Sequence, residues 1–220
     1  MRGRDCIGRA NHRDMQFETG SIDAPCGGAL AYLRGGAGAP RGIVVVQHGF
    51  PDHPPTFAPV IDALVARGFD VVAPWLRGYA PSTSAGPFDV ERLGGDLLAI
   101  VDALAAGRPA YLVGHDWGAV ATYAALVLGG QPQPQPRPQS QPRPLPSAHP
   151  VRAAVAISVP HPITFLRALP RDGQWRRSGY MALFQLGVAD RIVRARDFAF
   201  VDRLWRTWSP GFVLDDGARR

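Results

Sequence analysis

Apolar residues along the chain fall into two alternating patterns. Short continuous runs, Ala29 to Leu33, Ile43 to Val46, Val71 to Ala73, Tyr111 to Val113 and Ala153 to Ser158, have the length and boundaries of buried strands. Between them, Phe57, Val60, Ile61, Leu64 and Val65 recur at helical spacing, as do Val90, Leu93, Leu97, Val101 and Leu104. Each set gives one apolar stripe to lay against a sheet. Asp89 stands where an N-cap belongs, and Gly68 and Gly107 follow their helices as C-terminal stops. Buried strands alternating with one-sided helices predict an α/β fold with a mostly parallel sheet flanked by helices.

The pattern changes after Ser158-Val159-Pro160-His161-Pro162. Tyr180, Phe184 and Val188 form one helical series, and Phe198, Val201, Leu204, Trp205 and Trp208 form another, with no strand between them. The expected organisation is a flexible arm over 1–19, a core over 20–160, a helical segment over 161–214 and a tail over 215–220. Proline at alternate positions within 131–146 favours an extended chain without internal hydrogen bonds. That stretch reads as an insert between the helix ending at Gly129-Gly130 and the next strand, and a spacer role is expected for it.

With 220 residues, 46% of them hydrophobic and 19% charged, the chain is long enough for one sizeable core. No apolar run has membrane-spanning length, and no apolar stretch of a secretory signal follows Met1, so a cytoplasmic protein with no membrane partner is expected. The formal charge of +6 comes entirely from arginine, since lysine is absent, which excludes Schiff-base and phosphate-loop lysine chemistry. The arginines are scattered and lack the interleaved aromatics of a nucleic-acid surface, so no nucleic-acid partner is expected. Cys6 and Cys26 have no metal-ligand spacing and read as free thiols, with no metal and no cofactor implied.

The candidate chemistry centres on Gly114-His115-Asp116-Trp117-Gly118. A strand run precedes it and an apolar helix, Ala119 to Leu128, follows, so Asp116 falls on a sharp strand-to-helix turn with glycine on both sides. Such a turn presents its central side chain as a nucleophile. The same position also suits an aspartate that merely caps the helix, and the five residues alone leave both readings open. A second strand runs into His48-Gly49-Phe50-Pro51-Asp52. If the Phe50 and Trp117 amides converge on Asp116, they form a two-donor oxyanion hole.

These two strings, with Leu76-Arg77-Gly78-Tyr79 between them in sequence, resemble the epoxide hydrolase branch of the α/β-hydrolase superfamily, and much of the pattern is shared with haloalkane dehalogenases. The likeness runs from about residue 16 to about residue 213. Trp75 stands where relatives usually carry Asp, and Ala80 where they usually carry Gly.

The resemblance implies that 161–214 is a partial helical cap over the core. It implies that Asp116 attacks an epoxide carbon to give an alkyl ester, and that Tyr180 is a ring-opening acid, although on its own terms Tyr180 reads equally as packing. A small apolar substrate such as an epoxide would be lined by His48, His115, His161, Trp175 and Phe184. His48 and His115 also read as structural parts of their turns, and His161 as a weak candidate for a substitute base. In such enzymes the ester-cleaving histidine and its orienting acid follow the cap, on further strands. The six histidines here all precede Tyr180, so a truncated core, exposed apolar faces and little turnover are expected. Two other readings stay open. One is a dehalogenase-like hydrolase using Trp117 and Trp175 as halide donors, and the other is a degenerate, non-catalytic hydrolase-like protein.

Overall fold

A computed structural model describes residues 17–36, 38–130, 151–168, 170–171, 175, 178–209 and 211. The arm through residue 16, the 131–146 insert and the 215–220 tail lie outside the described residues. The chain divides into two compact units, Met1–His161 and Pro162–Arg220.

The first unit is a six-stranded sheet with helices. Its strands are β1 (Glu18–Asp23), β2 (Ala29–Gly35), β3 (Ile43–Gln47), β4 (Asp70–Pro74), β5 (Ala110–His115) and β6 (Val151–Ile157), in the spatial order β1-β2-β4-β3-β5-β6. β1, β2 and β4 pair antiparallel in turn, while β4, β3, β5 and β6 pair parallel. All five expected strands form, each extended by one or two residues at one or both ends, and the last trimmed by one residue at its C-terminal end. β1 is the addition. Its residues, Glu-Thr-Gly-Ser-Ile-Asp, are mostly exposed, and its first two lie inside the stretch expected as a flexible arm.

β3 and β4 are buried along their whole length, which is why they read as unbroken apolar runs. Helix α1 (Ala58–Val65) buries Ile61 against one face of the sheet, beside Val44, Val46, Val71 and Ala73. Helix α2 (Val90–Leu104) covers the other face with Leu93, Leu97, Leu98, Ile100 and Val101. Asp89 caps α2 as expected, its carboxylate accepting from the Arg92 amide at 2.8 Å. Gly68 and Gly107 adopt the left-handed conformation, φ 84° and 79°. Val60 and Val90, the outlying members of the two stripes, are exposed. Helix α3 (Trp117–Gly129) packs on α2 and on β5 and β6.

Two ion-pair groups fix the sheet and the loop after β4. Asp70, at the start of β4, accepts both a bidentate grip from Arg34 at 2.9 and 2.7 Å and a bond from Arg108 at 2.9 Å. Arg77 grips Asp96 of α2 at 2.9 and 2.7 Å and also donates to the Ala85 carbonyl.

The second unit contains α4 (Pro162–Ala168), α5 (Gly179–Phe184) and α6 (Ala189–Trp208). Here the expected helical series through Phe198 is corrected. Ala195 to Phe198 leave helical geometry, with positive φ at Arg196, Asp197 and Phe198, so α6 is two helices joined by a break. The Tyr180 ring meets Phe184 and Trp208 edge-on at centroid distances of 5.6 and 5.1 Å, and Phe184 meets Phe200 at 6.1 Å. These rings tie α5 to the second half of α6. No helix among the described residues is long and apolar enough to cross a membrane.

Candidate active site

Parallel pairing of β3 with β5 sets Gln47 beside Gly114, so the two chains leave the sheet as neighbours and their turns meet. At the end of β5, Asp116 takes φ 55° and ψ −119°, a conformation that costs a non-glycine residue free energy and persists only where its surroundings enforce it. The enforcing contacts are backbone. A side chain at Gly118 would strike the Gln47 carbonyl oxygen and come within 2.8 Å of the His48 carbonyl, and one at Gly114 would strike the Gly118 carbonyl. Glycine at both positions lets the strand, the turn and the first coil of α3 occupy the same small volume.

The capping reading of Asp116 is settled by its partners. Its backbone carbonyl starts α3 by accepting from the Ala119 and Val120 amides, yet its side chain makes no capping bond. The carboxylate instead accepts from the Phe50 amide, N to Oδ1 2.9 Å. Gly49 permits this approach, because a Cβ there would overlap the Asp116 side chain and stand 2.6 Å from the Trp117 nitrogen. The Phe50 amide thus holds the carboxylate, and the Gly49 backbone packs close to the Trp117 nitrogen. Around it, the Phe50-Pro51 peptide is cis, and the Asp52 amide closes the turn onto the Gly49 carbonyl at 3.0 Å.

The histidines separate by their surroundings. His48 has no exposed surface. Its Nε2 accepts from the Leu76 amide at 3.0 Å, which leaves Nδ1 to donate to the Gly49 carbonyl at 2.9 Å. Burial pushes its pKa down, so the ring is neutral and braces the Gly49 turn against the end of β4. His115 is the last residue of β5. It is half-buried, and its buried Nδ1 has no hydrogen-bond partner among the described residues. His161, at the end of the first unit, packs edge-on against Tyr123 of α3 at 5.4 Å, while the Tyr123 hydroxyl donates to the Val159 carbonyl at 3.2 Å. Within the second unit, Tyr180 and Phe184 belong to the ring cluster already described and Trp175 is largely exposed.

Tyr79 is the residue that sequence reasoning passed over. It follows Gly78 in the loop held by the Arg77–Asp96 pair, and its ring meets His48 edge-on at 4.8 Å. Burial, then the negative charges of Asp116 and Asp52, push its hydroxyl pKa well above the ordinary tyrosine value, so it stays a neutral donor. Its presence in the Leu76-Arg77-Gly78-Tyr79 string was the only available signal. No group of three or more His, Cys, Asp or Glu side chains that could hold a metal occurs among the described residues.

Comparison with known proteins follows the same residues. A family profile described as alpha/beta hydrolase fold matches residues 42–185. Epoxide hydrolase A of Mycobacterium tuberculosis is 39% identical over 97 residues, covering 43% of this chain and 29% of the relative. The AB hydrolase superfamily protein YfhM of Bacillus subtilis is 29% identical over 169 residues, covering 73% of this chain and 51% of the relative. The chain thus spans about half or less of the length of these relatives. The crystal structure of Bacillus megaterium epoxide hydrolase with an inhibitor superposes with a TM-score of 0.67 at 25% identity, covering 87% of this chain and 60% of that one. With its elbow, its sheet order and its profile match in agreement, the chain belongs to the alpha/beta hydrolase fold family, and its similarities run through the epoxide hydrolases.

Proposed function

We propose that this chain carries the nucleophilic half of an epoxide hydrolase, acting on a small apolar epoxide. The observation that carries the reading is the Asp116 carboxylate, held in a strained elbow and bonded to the Phe50 amide rather than capping its own helix. Phe50 fixes Oδ1, which leaves Oδ2 to attack the epoxide carbon. The C–O bond of the ring breaks as the Asp116 ester forms, and the ring oxygen becomes an alkoxide that must take a proton from a weak acid, the role that the resemblance gives Tyr180. Tyr180 serves this step as a weak acid, matched to a strongly basic leaving oxygen.

Cleavage of the ester begins with water adding to the Asp116 carbonyl carbon. The oxygen that gains negative charge is Oδ1, which accepts from the Phe50 amide, and the Phe50 and Trp117 amides serve in this proposal as its oxyanion hole. Water needs a general base for this, a contribution of about 10²–10⁴-fold. Without one, the ester is proposed to accumulate on Asp116. No cofactor enters either half-reaction.

Peptide mapping after exposure to styrene oxide tests the assignment. One adduct on the peptide containing Asp116, formed more slowly in Tyr180→Phe, is the expected result. An adduct on cysteine or histidine with Asp116 unmodified would remove the reading.

A further inference from the structure

We infer that Tyr79 is a positioning residue for the Asp116 reaction: its ring holds the His48 ring, and His48 in turn sets the peptide plane that presents the Phe50 amide to the carboxylate. This rests on the reading of Asp116 as the nucleophile. The Gly49 carbonyl and the Phe50 amide belong to one planar peptide unit, so whatever fixes the carbonyl also aims the N–H. His48 Nδ1 donates to that carbonyl at 2.9 Å, and the Asp52 amide donates to it at 3.0 Å. At the other end of the same unit, the Phe50 N–H donates to Asp116 Oδ1 at 2.9 Å. His48 is anchored from behind by the Leu76 amide, which donates to Nε2 at 3.0 Å.

Two hydrogen bonds in the ring plane still let His48 rock about the line joining its nitrogens. Tyr79 removes that freedom. Its ring meets His48 at 78° with centroids 4.8 Å apart, an edge-to-face contact of the kind aromatic rings prefer. Tyr79 is itself well held. Its amide closes a turn onto the Leu76 carbonyl at 2.9 Å, the Gly78 amide donates to the Thr83 carbonyl at 2.8 Å, and its ring packs against the core cluster that contains Leu76 and Leu93. The preceding Arg77 is tied to α2 through Asp96. α2, the loop after β4 and the turn after β3 are thus joined at one pair of rings, and the ring of Tyr79, not its hydroxyl, is the part that acts.

The test compares Tyr79→Phe and Tyr79→Leu in the 220-residue chain by two readouts, the native amide proton shift of Phe50 and the rate at which styrene oxide labels Asp116. The amide shift reports geometry in folded molecules whatever fraction is unfolded. Tyr79→Phe should keep both at the parent values. Tyr79→Leu should move the Phe50 amide upfield and slow labelling by up to about 10²-fold, the slowing falling on the limiting rate and not on the half-saturating epoxide concentration. Phe69→Leu is the control, because it removes another edge-on ring pair, with Tyr111, at the opposite end of the sheet, and should leave both readouts unchanged. Parent values in Tyr79→Leu would overturn the proposal. So would loss in Tyr79→Phe equal to that in Tyr79→Leu, which would assign the role to the hydroxyl, or an equal loss in Phe69→Leu, which would report only folding. If Tyr79→Leu gives no native spectrum, Tyr79→Met is read in the same way, and failure of both to fold overturns the proposal by making Tyr79 a folding residue. An unlabelled parent would sink the reading of Asp116 as nucleophile, while the amide shifts still decide whether Tyr79 positions Phe50.

Discussion

The amide of Phe50 donates to Oδ1 of Asp116 across 66 residues of sequence, and every feature of the elbow follows from making that bond possible. β3 and β5 must pair in register, the Gly49 turn must lie flat against Asp116, and α3 must start without borrowing the carboxylate as a cap.

Gly118 sets the tightest packing requirement. Its missing side chain is replaced by the Gln47 carbonyl, which belongs to backbone and cannot swing away. Gly118→Ala should therefore cost at least about 2 kcal/mol, the upper part of the range for overpacking, and should also pull Phe50 away from Asp116. A urea melt measures the first effect. Gly95 of α2, where an added Cβ meets nothing within 4 Å, is the comparison site, and Gly95→Ala should be neutral or slightly stabilising.

The Arg77–Asp96 pair should matter far more than its surface counterpart. Arg77 has a fully buried side chain, so Asp96→Ala strands its charge and should cost about 3–5 kcal/mol. Arg194 and Asp190 form an equally short bond between side chains that are mostly exposed, and Asp190→Ala should leave the melting curve unchanged. Equal effects at the two sites would contradict this account.

Acid should weaken the fold through Asp70. Burial opposes ionisation of its carboxyl, but hydrogen bonds from Arg34 and Arg108 outweigh it and hold the pKa below the usual value. A depressed carboxylate contributes stability that is complete above the unfolded value, about 3.9, and is lost as pH falls through the folded value. The stability gap between the parent chain and Asp70→Asn should be flat from pH 7 to about pH 5 and should narrow below about pH 4. Denaturant melts across that range measure it, and a gap that widens on acidification would reverse the assignment.

Much of this was legible in the sequence because the physics was local or repetitive. β3 and β4 are buried on both faces and so read as unbroken apolar runs, and α2 announces its cap and its stripe within fifteen residues. The elbow was legible because Gly114 and Gly118 flank Asp116. Whether the Asp116 side chain caps the helix was not, since that depends on a partner 66 residues away. β1 was missed because an exposed antiparallel edge needs no apolar periodicity. The two ring nitrogens of His48 are used by Leu76 and Gly49, a pairing set by the sheet that its neighbours in sequence do not reveal. Phe198 opens a helical spacing whose other members lie in helix while Phe198 itself falls in the break, and no proline or glycine marks that break.

Intact-mass stoichiometry with styrene oxide tests the central claim most directly. On the proposed reading the chain should gain the mass of one epoxide and hold it, with diol production not exceeding about one equivalent, because ester formation needs no base whereas ester cleavage depends on roughly 10²–10⁴-fold help from one. Asp116→Asn should gain nothing under the same conditions. Labelling of the Asn variant equal to that of the parent would contradict the proposed nucleophile, and many equivalents of diol from the unlabelled parent would contradict the proposed accumulation of the ester.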